Sequence, residues 1–161
     1  SLTAIFKRCA SGLIGENPCN DANNLMPIII KTATGELPNL TIFGDDYCTR
    51  DGTGERDYIH VSDLSHGHKL AVDHLHKIKN FEVFNLGTGN GTTVRELLSK
   101  FEETNSLKVP FSIEGRRDGD VAISIADTQK AHSILKFYPK FSLEDMCRDS
   151  WYWASNLATD E

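Results

Sequence analysis

Two arginines are the side chains best suited to binding an anion. Arg56 stands between a polar loop and a β-favouring run in Gly54-Glu55-Arg56-Asp57-Tyr58-Ile59-His60-Val61, and Arg117 precedes Asp120 in the turn Arg116-Arg117-Asp118-Gly119-Asp120. Such junctions are where a scaffold presents side chains to ligands. A guanidinium offers a planar fork that matches phosphate oxygens, and two of them could neutralise a diphosphate in a chain whose net charge is -6. Taken alone, the residues leave a blander reading open: a surface ion pair, such as Arg117 with Asp118, is the commoner use of exposed arginines.

Three other patterns invite chemistry and are read as structural. Phe84-Asn85-Leu86-Gly87-Thr88-Gly89-Asn90-Gly91 leads from an apolar run towards a helix, as a dinucleotide loop does, but its glycines are spaced G-x-G-x-G and the distal acidic residue has no strand end to sit on. It is read as a tight turn. His66 and His68, and likewise His74 and His76, lie two apart on a predicted helix, where side chains diverge and cannot share a metal. His60 alternates with Tyr58 and is expected to face inward. The loop carrying Asp45, Asp46 and Asp51 lacks the alternating carboxylates and closing Glu of a calcium loop and is expected to be solvated. No metal site is expected.

The elements needed to position the arginines follow from periodicity and end signals. Asn23 or Asn24 caps a helix through Leu25, Met26 and Ile29 that stops at Gly35, although Ile28-Ile29-Ile30 would also suit a buried strand. Leu40-Thr41-Ile42-Phe43 reads as a strand, and Gly44 to Gly54 as a loop. Tyr58 to Val61 favours β structure; Ser62 or Asp63 then opens a helix with Leu64, Ala71, Leu75 and Ile78 on one face, ending near Lys79-Asn80. Phe81 to Leu86 is apolar on both alternations and is predicted to be a strand buried on both faces. Thr93 with Glu96 forms a capping box ahead of an amphipathic helix, Val121 to Ile125 reads as a strand, and a last helix starts near Ser142.

The chain's 161 residues, 39% of them hydrophobic, suit one α/β domain of ordinary size. The negative charge and the lack of a basic stripe argue against a nucleic-acid partner. No apolar run approaches the ~20 residues that span a bilayer, so no membrane partner is expected. Cys9, Cys19, Cys48 and Cys147 are scattered without a C-x-x-C pair, which fits reduced thiols in the cytoplasm. The absence of an initiator Met is read as a sign of a fragment or a processed chain.

Taken together, Gly15-Glu16-Asn17-Pro18, Asn23-Asn24-Leu25-Met26-Pro27, Arg56-Asp57-Tyr58-Ile59-His60 and Arg116-Arg117-Asp118-Gly119-Asp120, in this order, resemble the C-terminal, nucleotide-sugar-binding portion of the UDP-glucose 4-epimerase family within the extended short-chain dehydrogenases/reductases. The resemblance runs from about Ser11 to Trp153. It implies an α/β fold in which residues 11–161 are the UDP-sugar-binding portion, residues 1–10 are divergent, the NAD-binding Rossmann domain is absent, and one strand, Phe81 to Leu86, would join the missing sheet. It implies that Arg56 and Arg117 contact the diphosphate, that Asp120 binds the ribose hydroxyls, that Asn24 and Leu25 contact the diphosphate or sugar region, and that Thr41 and Phe43 embrace the uracil. Ser124 would line the hexose pocket, where a small residue leaves room for an N-acetyl group. The intact enzyme would hold NAD, interconvert UDP-glucose and UDP-galactose in galactose metabolism, and form a homodimer.

Departures from the family pattern limit what this chain is expected to do alone. It has no G-x-x-G-x-x-G loop, and none of Tyr47, Tyr58, Tyr138 or Tyr152 has Lys four residues on, so it contributes no catalytic residue and is expected to hold no NAD. Ile5-Phe6-Lys7 stands where the family has Tyr-Phe-Asn, which removes an expected sugar-contacting pair. Without sheet neighbours, Phe81 to Leu86 would expose an apolar edge and lower solubility. Two alternatives stand beside the epimerase: a non-catalytic UDP-sugar-binding or regulatory module, and a related nucleotide-sugar decarboxylase or dehydratase.

Overall fold

The computed structural model describes residues 4–6, 24–78 and 80–157; Lys7, Cys9, Gly15-Glu16-Asn17-Pro18, Cys19 and Asn23 lie outside them. Six residues, β3 (Glu55–His60), hold the larger sheet together. Strand β1 (Ala4–Phe6) runs parallel to the second half of β3, with Ala4 opposite Tyr58 and Phe6 opposite His60. Antiparallel β4 (Gly91–Thr93) and parallel β6 (Ile123–Ser124) pair with its first half, Thr92 and Ser124 both opposite Arg56. Strand alternation then sends Arg56 and Tyr58 to one face and Glu55, Asp57 and Ile59 to the other. Tyr58 accordingly joins a core with Ile29, Leu40, Ile42 and Phe101, whereas Ile59 joins a smaller core with Ala131, Leu135 and Phe137. One short strand thus separates two cores.

The larger core is enclosed by helices and a second, two-stranded parallel sheet, β2 (Leu40–Phe43) with β5 (Phe111–Glu114). Helix α1 (Leu25–Ala33) buries Met26, Ile29 and Ile30 at helical spacing, which settles the helix-or-strand ambiguity, and it stops where Gly35 supplies a φ of 83°. Helix α3 (Val94–Asn105) packs on α4 (Leu143–Leu157), with the Phe101 and Trp151 rings edge to face at 6.0 Å. Both helices start on reciprocal caps: Thr93 with Glu96, and Ser142 with Asp145. Thr93 is fully buried and its hydroxyl also donates to Asp51 at 2.5 Å. Thr93→Val, which keeps the shape and removes the hydroxyl, is therefore expected to cost about 2–4 kcal/mol, the sum of a lost cap and an orphaned acceptor, in urea denaturation. A loss below about 0.5 kcal/mol, typical of an uninvolved surface site, would contradict that role.

Three sequence expectations need correction. Residues 81–86 are extended but join no sheet among the described residues: Phe84 and Leu86 pack on the smaller core, while Phe81 and Val83 are 82% and 56% exposed. The doubly apolar pattern reports two apolar surfaces, and only one is covered by a described element. Helix α2 (Val61–His74) starts a residue or two earlier than expected and ends sooner. Its cap is His60, whose ring accepts from the Ser62 N–H, because the Asp63 carboxylate is used elsewhere, receiving the backbone N–H groups of Lys140 and Phe141. The chain then tightens into a 3-10 turn, Leu75–Lys77, which rotates Leu75 out of the apolar face and leaves it 59% exposed. Of the expected strand Val121 to Ile125, the sheet takes up Ile123 and Ser124.

Candidate functional site

Between the start of α1, strands β2 and β3, and the 115–120 turn lies a cavity of about 160 Å³. Its wall contains Leu25, Thr41, Phe43, Arg56, Arg117 and Asp120, six of the eight residues singled out from sequence. Ile28, Leu40, Ile42, Tyr47, Tyr58 and Val94, none of them singled out from sequence as site residues, complete the apolar lining. Tyr58 was within reach of strand alternation from Arg56; Ile28 and Val94 arrive by tertiary packing. Asn24 and Ser124 stand outside the wall. Asn24 is the exposed N-cap of α1, but its side chain makes no capping bond. Ser124 is half-buried and, by the β3–β6 register, lies beside Arg56 on the same sheet face.

The two arginines are held differently. Arg56 donates through Nη1 to the carbonyls of Glu55 and Ala122, at 2.9 and 3.4 Å, and its Nη2 lies 3.9 Å from Asp120 Oδ1. Its fork is thus positioned by backbone and only loosely paired. Arg117 lies over the Phe43 ring, its guanidinium carbon 3.7 Å from the ring centroid, and among the described residues it has no ion pair, with Asp118 or any other. Arg116, next in the chain, is an anchor. It binds Asp46 through Nε–Oδ1 and through Nη2 to the backbone carbonyl, both at 2.7 Å, and stacks at 4.3 Å on Tyr47. Two cationic groups and one carboxylate therefore meet at a cavity with an apolar floor, an arrangement suited to an anionic ligand with a flat apolar part.

The acidic loop is exposed at Asp45 and Asp46, as expected of a solvated stretch, while Asp51 is built into the scaffold. Asp51 receives the Thr53 N–H and hydroxyl and the Thr93 hydroxyl, and Asp46 receives Arg116. Among the described residues no three His, Cys, Asp or Glu side chains converge as a metal site would require. Arg50 ties the loop down by bonding Glu96 through Nε and Nη2 and Glu55 through Nη1. The Arg50 hydrogen bonds, joined by the Thr93 N–H, pull the Glu96 pKa to about 2; Ser142, then Arg148, bring Asp145 to about 2. A carboxylate whose folded pKa is depressed stabilises the fold above its ordinary pKa, and that stabilisation is lost as pH falls through the folded value. Stability in urea is therefore expected to fall between pH 4.5 and about 2, with a smaller slope in Glu96→Gln. A flat profile over that window would contradict these pairings.

Asp57 explains the glycine-rich loop. Its carboxylate is fully buried and accepts the Thr88 N–H at 2.9 Å, the Thr88 hydroxyl at 2.6 Å, the Gly89 N–H at 2.9 Å and the Ala126 N–H at 3.3 Å. The N–H groups that would cradle a dinucleotide pyrophosphate are thus spent on an internal anion. A Cβ at Gly87 would sit 2.5 Å from Asp57 Oδ2 and 2.6 Å from the Ala126 Cβ, so the glycine serves this close approach. The loop does not fit NAD. His60 is likewise structural: it is fully buried, stacked at 4.2 Å on Phe141, its Nδ1 accepting from Ser62 and its Nε2 3.5 Å from Asp149. Burial lowers its pKa. His66, His68 and His76 are exposed and His74 is half-buried. Cys48 is exposed, and Cys147 is buried, its thiol pushed up to about 12 by desolvation.

Comparison with known proteins agrees over nearly the whole chain. The profile of the GDP-mannose 4,6 dehydratase family matches residues 6–150. UDP-glucose 4-epimerase 2 of Arabidopsis thaliana is 51% identical over 147 residues, which are 91% of this chain and 42% of that protein. The crystal structure of UDP-glucose 4-epimerase from Stenotrophomonas maltophila, with bound NAD and formylated UDP-arabinopyranose, superposes with a TM-score of 0.94 at 46% identity, covering 98% of this chain and 47% of that one. The Bifidobacterium longum enzyme in complex with NAD+ and UDP gives 0.89 at 39%, covering 98% and 47%. The chain thus spans less than half the length of the relatives it matches. It belongs to the GDP-mannose 4,6 dehydratase family and matches the C-terminal portion of an extended short-chain dehydrogenase/reductase epimerase.

Proposed function

We propose that this chain is the UDP-sugar-binding portion of a UDP-glucose 4-epimerase. The observation that carries the reading is the cavity whose wall brings Arg56, Arg117 and Asp120 against Thr41 and Phe43. Arg56 and Arg117 would hold the diphosphate, Asp120 the ribose hydroxyls, and Thr41 and Phe43 the uracil, with Asn24 and Leu25 at the diphosphate or sugar end. Ser124, small and beside Arg56, would leave room at the hexose for an N-acetyl group. In the intact enzyme NAD would supply the redox chemistry at the sugar C4 for interconversion of UDP-glucose and UDP-galactose in galactose metabolism. The glycine loop of this chain does not fit that cofactor. NAD and the Tyr-x-x-x-Lys pair are assigned to the part of the relatives that this chain does not span; a cytoplasmic homodimer is the expected form of the intact enzyme. Among the described residues no helix is long and apolar enough to cross a membrane.

Relatives near 50% identity are epimerases, which favours that reaction over the dehydratase of the family's description. The non-catalytic binding module would use the same cavity. Calorimetric titration of the 161-residue chain, paired with a coupled assay, tests the proposal. UDP, UDP-glucose and UDP-N-acetylglucosamine are expected to bind, the last two comparably, without turnover. Failure of UDP to bind would remove the site. Turnover would show that the catalytic groups lie within this chain, and rejection of the N-acetyl sugar alone would remove the role of Ser124.

A further inference from the structure

A second cavity, of about 360 Å³, adjoins the first, lined by Ile28, Lys31, Leu37, Asn39, Thr41, Phe43 and Arg117. The two share Ile28, Thr41, Phe43 and Arg117. Arg117 lying on Phe43 is therefore part of the wall between them. The contact is close, 3.7 Å, and it covers one face of the aromatic ring on which a flat ligand would stack. Its geometry is set from next door. Arg116 is fixed to Asp46 and to the ring of Tyr47, and Tyr47 is packed against Gly44, where a Cβ would lie 2.5 Å from the tyrosine ring. Arg117 thus projects from an anchored turn, with no carboxylate partner among the described residues to draw it off the ring.

Resting on the UDP site proposed above, we infer that Arg117 is a self-occluding gate. Its guanidinium occupies the Phe43 face. A ligand carrying phosphate offers it a stronger partner, so that the cation leaves the ring as the base takes its place, and the two cavities join. A ligand with the base but no phosphate must displace the cation and gains nothing in return. The gate thereby couples base stacking to the presence of the diphosphate, and selects nucleotides over nucleosides.

Charge neutralisation without loss of size separates this from a plain phosphate contact. Arg117→Gln lies at an exposed position, so folding is not at issue. In the 161-residue chain, followed by NMR titration, Arg117→Gln is expected to bind uridine about 2- to 5-fold more tightly than the parent, the worth of a surface cation–π contact, while binding UDP more weakly. Phe43→Leu should weaken uridine binding, and adding Arg117→Gln to it should restore none of it. Uridine affinity that is unchanged or reduced in Arg117→Gln, with UDP still bound by the parent, would overturn the gate and leave the site standing. Absence of UDP binding to the parent would remove both. A gain for uridine that persists in the Phe43→Leu background would also overturn the gate, since the ring would then play no part.

Discussion

Replacing Arg56 or Arg117 by Ala is expected to weaken UDP binding by about 1.5–3 kcal/mol each, roughly 10- to 150-fold, when charge-assisted hydrogen bonds to phosphate are lost. The two sites should differ in how far Lys rescues them. Arg56 is oriented by the Glu55 and Ala122 carbonyls, a fork that an ammonium cannot reproduce, so Arg56→Lys should recover little. Arg117 acts from an exposed turn, and a point charge there should recover more. Calorimetry of the four variants against UDP checks both statements. Unchanged affinity in Arg117→Ala would remove that residue from the site, and full rescue by Arg56→Lys would mean that only its charge matters.

Asp57→Asn is expected to be the most damaging single substitution in the supporting structure, at roughly 2–5 kcal/mol. The carboxylate receives three N–H groups and a hydroxyl, and an amide can accept on one side only, leaving at least one buried N–H facing another. The damage should spread beyond the loop, because Asp57 ties β3 both to the Gly87 turn and to Ala126, just past β6, which carries Ser124. Asp73→Asn, which breaks an exposed ion pair with Lys69, should change stability by less than about 0.5 kcal/mol and serves as the control. Urea denaturation of both variants decides the matter. Equal, small losses would mean that the glycine loop does not depend on Asp57, and would reopen the dinucleotide reading of that loop.

What could be read from the sequence follows a physical boundary. Local signals with a mechanism were legible: the Thr93–Glu96 box, the stop at Gly35, the strand Leu40–Phe43 and the inward His60 all depend on residues within a few positions of one another. The six cavity residues were named through the family resemblance and not from spacing, because nothing in Arg56 or Arg117 alone separates a ligand arginine from a surface one. Contacts across the chain were not legible. Asp46 with Arg116, Asp51 with Thr93 and Asp57 with Thr88 tie a loop that is exposed at Asp45 and Asp46, and the glycine-rich turn, into the scaffold. The run 81–86 is legible in part: its apolar pattern and the expected lack of sheet neighbours agree with the exposure of Phe81 and Val83, whereas burial on both faces needs a partner strand that no described residue supplies.

The claim that the cavity between α1, β2 and β3 receives UDP is tested most directly by methyl NMR of the chain as UDP is added. Leu25, Ile28, Ile42 and Val94 line the cavity and should shift together along one saturable curve, while Leu64, Leu70 and Leu135, in or against the smaller core, stay put. Saturable shifts confined to the smaller core, or no saturable shift at any of these methyls, would contradict the assignment.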